Sequence, residues 1–65
     1  MEFTVNGDQV RMPGTPDVYA LLAHLELPDE GVAVAVEGVV RPKTQWGEPV
    51  PEYSRIDVLT AVQGG

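Results

Sequence analysis

The residues whose types most clearly suggest a chemical role are the last two, Gly64 and Gly65. Glycine loses more conformational entropy on ordering than any other residue, so a glycine pair favours a free end over a packed one. Such an end is only a backbone wide and can thread into a channel too narrow for a Cβ atom. We therefore expect chemistry at the carboxylate of Gly65, with Gly64 and Gly65 as the threading residues; the alternative is a frayed or truncated end without function.

Composition excludes several other kinds of chemistry. The 65-residue chain has no cysteine and one histidine, which removes disulfides, thiolate metal sites and thiol nucleophiles, and makes a protein-held metal improbable. A net charge of −6 argues against nucleic-acid binding. It suits a basic partner surface, and solubility alone is an equally ordinary explanation for most of these charges. There is no apolar run near the roughly 18 residues of a membrane span and no signal-peptide pattern. We expect a cytoplasmic domain that binds neither nucleic acid nor membrane.

The first third of the chain predicts a hairpin and a helix. Residues 1–5 and 8–12 alternate apolar and polar positions around Asn6-Gly7, a pair that tolerates the positive φ angles of a type I′ turn. Thr15 is the expected helix cap, with Pro16 and Asp17 in the first turn. Apolar residues then recur at helical spacing over about ten residues, at Val18, Leu21, Leu22 and Leu25. His24 lies off this stripe and is expected to be exposed.

The rest of the chain predicts three strands, at 32–36, 39–41 and 56–62. The irregular segment 42–51 contains Trp46, which we expect to close one end of the core because large aromatic residues mostly pack. A helix after a hairpin usually returns the chain parallel to and beside the first strand, so we expect strand 32–36 there. The fold class is therefore α+β, a mixed sheet of four to five strands with one helix across it.

A candidate docking surface lies on the sheet face away from the helix. Alternation in the predicted strands places Ala33, Ala35, Leu59 and Ala61 on that face, and Leu59 is the largest of them. Exposed apolar patches on small monomers often mark partner sites. A lone exposed leucine without a role is an equally ordinary interpretation. We expect residues 1–62 to form the domain and residues 63–65 a flexible tail.

The order of these elements resembles the β-grasp, or ubiquitin-like, fold, and within it the ThiS family of bacterial sulfur carriers. The resemblance covers essentially the whole chain. It rests on the opening FTVNG at 3–7, the helix with Leu21-Leu22, VAVAV at 32–36, VVRP at 39–42 followed by Trp46, and IDVLTAVQGG at 56–65. The chain departs from the family at Glu37, where members often carry Asn, and at Tyr53-Ser54-Arg55, which replaces an Asp-Gly-Asp-like turn.

This resemblance implies a function that the partners, not the chain itself, catalyse. An E1-like adenylating enzyme would use ATP to activate the carboxylate of Gly65, and sulfur from a persulfide made by a cysteine desulfurase-type donor would then replace AMP. The resulting thiocarboxylate would supply thiazole synthase. The chain would bind no cofactor and have no catalytic residues, acting as a protein co-substrate. Ala33, Ala35, Leu59 and Ala61 would dock the partners.

Three alternatives remain open at the level of sequence. The chain could carry sulfur for molybdopterin or amino-acid biosynthesis, in which the chemistry is the same and only the acceptor differs. It could instead be a ubiquitin-like modifier, joined through Gly65 to lysines, or a plain interaction module. A carrier gains one sulfur in place of oxygen, whereas a modifier yields isopeptide conjugates.

Overall fold

Within residues 1–60 the protein folds as one five-stranded mixed sheet with a single α-helix packed against it, as predicted. The computed structural model describes residues 1–60; the predicted end of the last strand, the domain boundary at 62 and the tail lie outside the described residues. The strands are β1 (Glu2–Val5), β2 (Asp8–Arg11), β3 (Val32–Val36), β4 (Val39–Val40) and β5 (Arg55–Thr60); the helix is α1 (Val18–His24), and a short 3₁₀ helix spans Lys43–Gln45. The sheet order is β2-β1-β5-β3-β4.

The strand beside β1 is β5, and the expectation that β3 would lie there is wrong. β5 runs parallel to β1, and β3 pairs with β5 in antiparallel fashion from Val32↔Thr60 to Val36↔Ile56. A crossover sets the direction of a strand relative to the strand that enters the helix, which here is β2. Since β2 runs opposite to β1, β3 does so too, and the position beside β1 is occupied by the parallel strand β5.

The Asn6-Gly7 turn joins β1 and β2 as predicted. Asn6 has φ 51° and Gly7 has φ 87°, so both central residues take the left-handed conformation that a type I′ turn requires. Val5 consequently pairs with Asp8 and Glu2 with Arg11. This register aligns Phe3 with Val10 on the core side of the sheet.

The helix begins two residues later than the sequence suggested and is shorter. Asp17, not Thr15, is the N-cap: its carboxylate accepts a hydrogen bond from the Ala20 N–H at 2.8 Å. The cap shifts because the Val18 N–H donates to the Trp46 carbonyl at 3.0 Å, a partner from the distant 42–51 segment. The helix ends at His24, which is exposed as expected, and Glu26 follows with a left-handed φ of 58°.

Trp46 closes one end of the core, as predicted. It is 2% exposed, and its indole N–H donates to the Arg41 carbonyl at 3.0 Å, so its polar group is satisfied. Tyr19 packs edge-on against it with ring centroids 5.4 Å apart. The core joins α1 to the inner face of the sheet and consists of Phe3, Val5, Met12, Val18, Leu21, Leu22, Val34, Val36, Trp46, Val50, Ile56 and Val58.

Both departures from the family pattern coincide with backbone in the left-handed region. Glu37 has φ 53° and Tyr53 has φ 64°. Asparagine and glycine tolerate this region, whereas a bulky side chain does so at an energetic cost. Glu37 has local compensation, since its carboxylate accepts from the Arg55 N–H at 3.0 Å. Tyr53 is 75% exposed, so little packing offsets its conformation.

Replacing Tyr53 with glycine is expected to stabilise the fold. Glycine takes a positive φ without a Cβ clash, and this outweighs its larger entropy in the unfolded chain, giving about 0.5–1 kcal/mol of added stability. Urea denaturation measures the change. Glu52→Gly is the matched control, because Glu52 is exposed in the same turn but lacks a positive φ, and the control should lose stability. A destabilised Tyr53→Gly would show that the tyrosine ring contributes more than its backbone loses.

Candidate functional site

Leu59 projects from the sheet face opposite the helix, as the sequence predicted. Alternation along β5 buries Ile56 and Val58 against α1 and turns Leu59 outward, where it is 67% exposed. Burying a leucine side chain is worth about 1.5–3 kcal/mol, so this residue is a strong potential contact for a partner. Leu59 immediately precedes Thr60, the last described residue of β5.

The strand register brings Ala33 and Ala35 to the same face. Ala33 lies directly opposite Leu59, and Ala35 lies opposite Asp57. Ala33 is exposed and Ala35 half-buried. Because both side chains are single methyl groups, they form a low surface from which Leu59 rises. The structure thus brings together three of the four residues predicted to dock partners; the fourth, Ala61, lies outside the described residues, as do Gly64 and Gly65.

Val40 belongs to this surface, and sequence reasoning missed it. β4 pairs with β3 so that Val40 lies opposite Ala35, and Val40 is 64% exposed. The two-residue Glu37-Gly38 turn was the signal that could have revealed it, since such a turn places Val39 opposite Val36 and therefore Val40 opposite Ala35. We call Ala33, Ala35, Val40 and Leu59 the outer apolar platform.

Charged and polar side chains border the outer apolar platform. On β5, the Arg55 guanidinium lies 3.5 Å from the Asp57 carboxylate, and the pair is exposed. On the far strands, Glu2 lies 3.5 Å from Arg11 and accepts a hydrogen bond from Gln9. Exposed ion pairs contribute little to stability. These charged and polar side chains make the outer face polar over β1 and β2, whereas it is apolar over β3, β4 and the end of β5.

A shallow depression of about 430 Å³ adjoins the platform through Ala33 and Val40. It lies between the residues that lead into β3 and the segment after β4. Its rim carries acidic groups on one side, at Asp29 and Glu30, and basic groups on the other, at Arg41 and Lys43. The Lys43 ammonium lies 5.4 Å from the centre of the Trp46 ring, within cation–π range.

The described part of the chain presents exposed apolar side chains on its outer face. Within residues 1–60, no group of three or more histidine, aspartate or glutamate side chains is placed to hold a metal ion. No helix in that range is long and apolar enough to cross a membrane. What the described part of the chain presents is an exposed leucine on an apolar floor, at the end of the strand that leads into residues 61–65.

Comparison with known proteins finds a matching family and a solved structure that resembles the chain over its full length. The model of the ThiS family matches residues 2–65. A solved structure, the thiamine biosynthesis protein ThiS from Geobacter metallireducens, superposes with a TM-score of 0.81 at 28% sequence identity, and the match covers 100% of both chains. A search of curated proteins finds no significant match.

Proposed function

The chain belongs to the ThiS family, and from that membership we propose that it is a sulfur carrier of thiamine biosynthesis whose reactive group is the carboxylate of Gly65. The observation that carries the proposal is the extent of the family match, which runs through both glycines at 64 and 65. The likeness to the thiamine biosynthesis protein over its full length supports the same pathway. In this role the chain is a co-substrate, and its partners catalyse each step.

The chemistry begins with activation, because a carboxylate is a poor electrophile until it has a good leaving group. In an E1-like enzyme, a Gly65 carboxylate oxygen attacks the α-phosphorus of ATP, forming an acyl adenylate and releasing pyrophosphate. The terminal sulfur of a cysteine persulfide on the sulfur donor then attacks the acyl carbon, and AMP leaves. A thiol reduces the resulting acyl disulfide and frees the thiocarboxylate, which donates its sulfur to thiazole synthase.

The chain's own contribution is presentation. With no cysteine, it has no side chain that can hold sulfur as a persulfide, so the acyl terminus is the one suitable carrier group. Gly64 and Gly65 pass through a narrow channel to the activating site. The outer apolar platform, together with Ala61, docks the partner at the base of this tail. The net charge of −6 suits a basic partner surface in the cytoplasm.

Intact-mass spectrometry tests the proposal directly. The chain is incubated with the adenylating enzyme of its source organism, ATP and a persulfide donor. The expected product is heavier by the difference between one sulfur and one oxygen atom, and it loses that sulfur when thiazole synthase and its substrates are added. Lysine conjugates joined through Gly65 would contradict the carrier role, and a thiocarboxylate that thiazole synthase does not consume would contradict the pathway.

A further inference from the structure

The β1–β5 ladder is extended by one side chain. The Thr4 N–H donates to the Ser54 carbonyl at 3.1 Å, and the Asn6 N–H donates to the Ile56 carbonyl at 2.9 Å. The main chain then turns away from β5 at Asn6-Gly7. The next pair of bonds comes from the Asn6 amide: its Nδ2 donates to the Val58 carbonyl at 3.1 Å, and its Oδ1 accepts from the Val58 N–H at 2.8 Å.

This side chain therefore replaces the missing strand along the last part of β5. Main-chain pairing between β1 and β5 covers only Thr4↔Arg55 and Val5↔Ile56. Beyond that point β5 has β3 on one side, and on the other side its described backbone bonds are those to Asn6. Without the amide, β5 from Val58 onward would be an edge held along one side, and strand ends of that kind open locally.

Few residues meet both requirements at position 6. The residue must take a left-handed φ, here 51°. Its side chain must also carry a hydrogen-bond donor and an acceptor that reach the carbonyl and the N–H of Val58. Glycine satisfies only the first requirement. Aspartate tolerates the conformation and keeps the acceptor for the Val58 N–H, but it has no hydrogen to donate to the Val58 carbonyl. Asparagine satisfies both.

We propose that Asn6 is a positioning residue for sulfur loading, which sets the direction in which β5 presents Leu59 to the activating enzyme. The inference rests on the proposed carrier function. Val58 immediately precedes Leu59, and Leu59 lies opposite Ala33 of β3. The Asn6 amide and β3 thus hold the strand from both sides just before the surface that docks, and a strand held in this way binds without first having to be ordered.

The test compares Asn6→Gly and Asn6→Asp with Gly7→Ala. The control strains the same turn, because Gly7 has φ 87°, yet apart from its two chain neighbours no residue has an atom within 4 Å of the added Cβ, and the variant keeps the Asn6 amide. Hydrogen exchange is measured at the backbone amides of Val58 and Leu59. The reference is the Leu21 amide in α1, which donates to the carbonyl of the N-cap residue Asp17. Sulfur loading is followed by intact mass at varied carrier concentration, which separates KM from kcat.

We expect Asn6→Gly to raise Val58 exchange relative to Leu21 by about tenfold, the effect of one to two lost hydrogen bonds. KM should rise about fivefold with little change in kcat, since docking and not chemistry is affected. Asn6→Asp should show intermediate changes in the Val58-to-Leu21 exchange ratio and in KM. Gly7→Ala should leave both quantities at their wild-type values. If Asn6→Gly and Gly7→Ala have the same exchange ratio and the same KM while the wild-type chain gains sulfur, the inference about Asn6 is wrong and the carrier function stands. If the wild-type chain gains no sulfur, both the proposed function and the inference are wrong.

Discussion

Deleting Gly65 is expected to abolish thiocarboxylate formation. The carboxylate would then sit on Gly64, one residue short, which withdraws the reacting carbon from the adenylation site by roughly 3.5 Å in an extended tail. Misplacements of that size cost at least about 100-fold in rate, since adenylation needs the attacking oxygen in line with the α-phosphorus. Gly64→Trp should fail for a different reason, because its side chain does not fit a channel made for a bare backbone. Intact mass after incubation with the activating enzyme measures both.

The matched control for the tail is Gln63→Ala, which keeps the length and both glycines. It should gain sulfur at nearly the wild-type rate. All three variants should unfold in urea at the wild-type midpoint, because the core is built from residues 3–58. A truncated chain that still acquires sulfur at the wild-type rate would refute the assignment of Gly65 as the acyl carrier.

Replacing Leu59 with aspartate is expected to weaken binding to the activating enzyme by at least tenfold. The substitution removes the main apolar contact of the outer apolar platform, about 1.5–3 kcal/mol if that side chain is buried on docking, and puts a charge in its place. Isothermal titration with the activating enzyme measures the affinity. Stability should change by less than about 1 kcal/mol, since Leu59 is 67% exposed and the change removes little buried apolar surface in addition to strand propensity.

Val39→Asp is the control for Leu59. Val39 is 69% exposed, but it lies opposite Val36 and so belongs to the other side of the sheet, away from the platform. The same apolar-to-acidic change there should leave the affinity within about twofold of wild type, as expected for a residue outside the contact. Equal losses from both variants would show that net charge, and not the platform, governs binding. A drop of many degrees in the melting temperature of Leu59→Asp would show instead that Leu59 supports the core.

The local features of this protein follow from neighbouring residues and were predictable. Period-two alternation assigns Phe3 and Val5, or Ile56 and Val58, to one side of a strand, because successive side chains point to opposite faces whatever the strand pairs with. The same rule predicts that Leu59 is exposed. Asn6-Gly7 encodes its turn through the φ angles that those two residues accept. The apolar stripe of α1 identifies the helix in the same way.

The tertiary structure decided which elements meet. Only the complete sheet inserts β5 between β1 and β3, and only that order places Val40 and Leu59 on either side of the two alanines. Asp17 became the helix cap because a carbonyl 28 residues away, that of Trp46, satisfies the first helical N–H. The Asn6 amide bonds to Val58 across a separation of 52 residues. The Glu37-Gly38 turn specifies the pairing of Val40 with Ala35 locally, but the other contacts depend on how distant strands and loops pack in space.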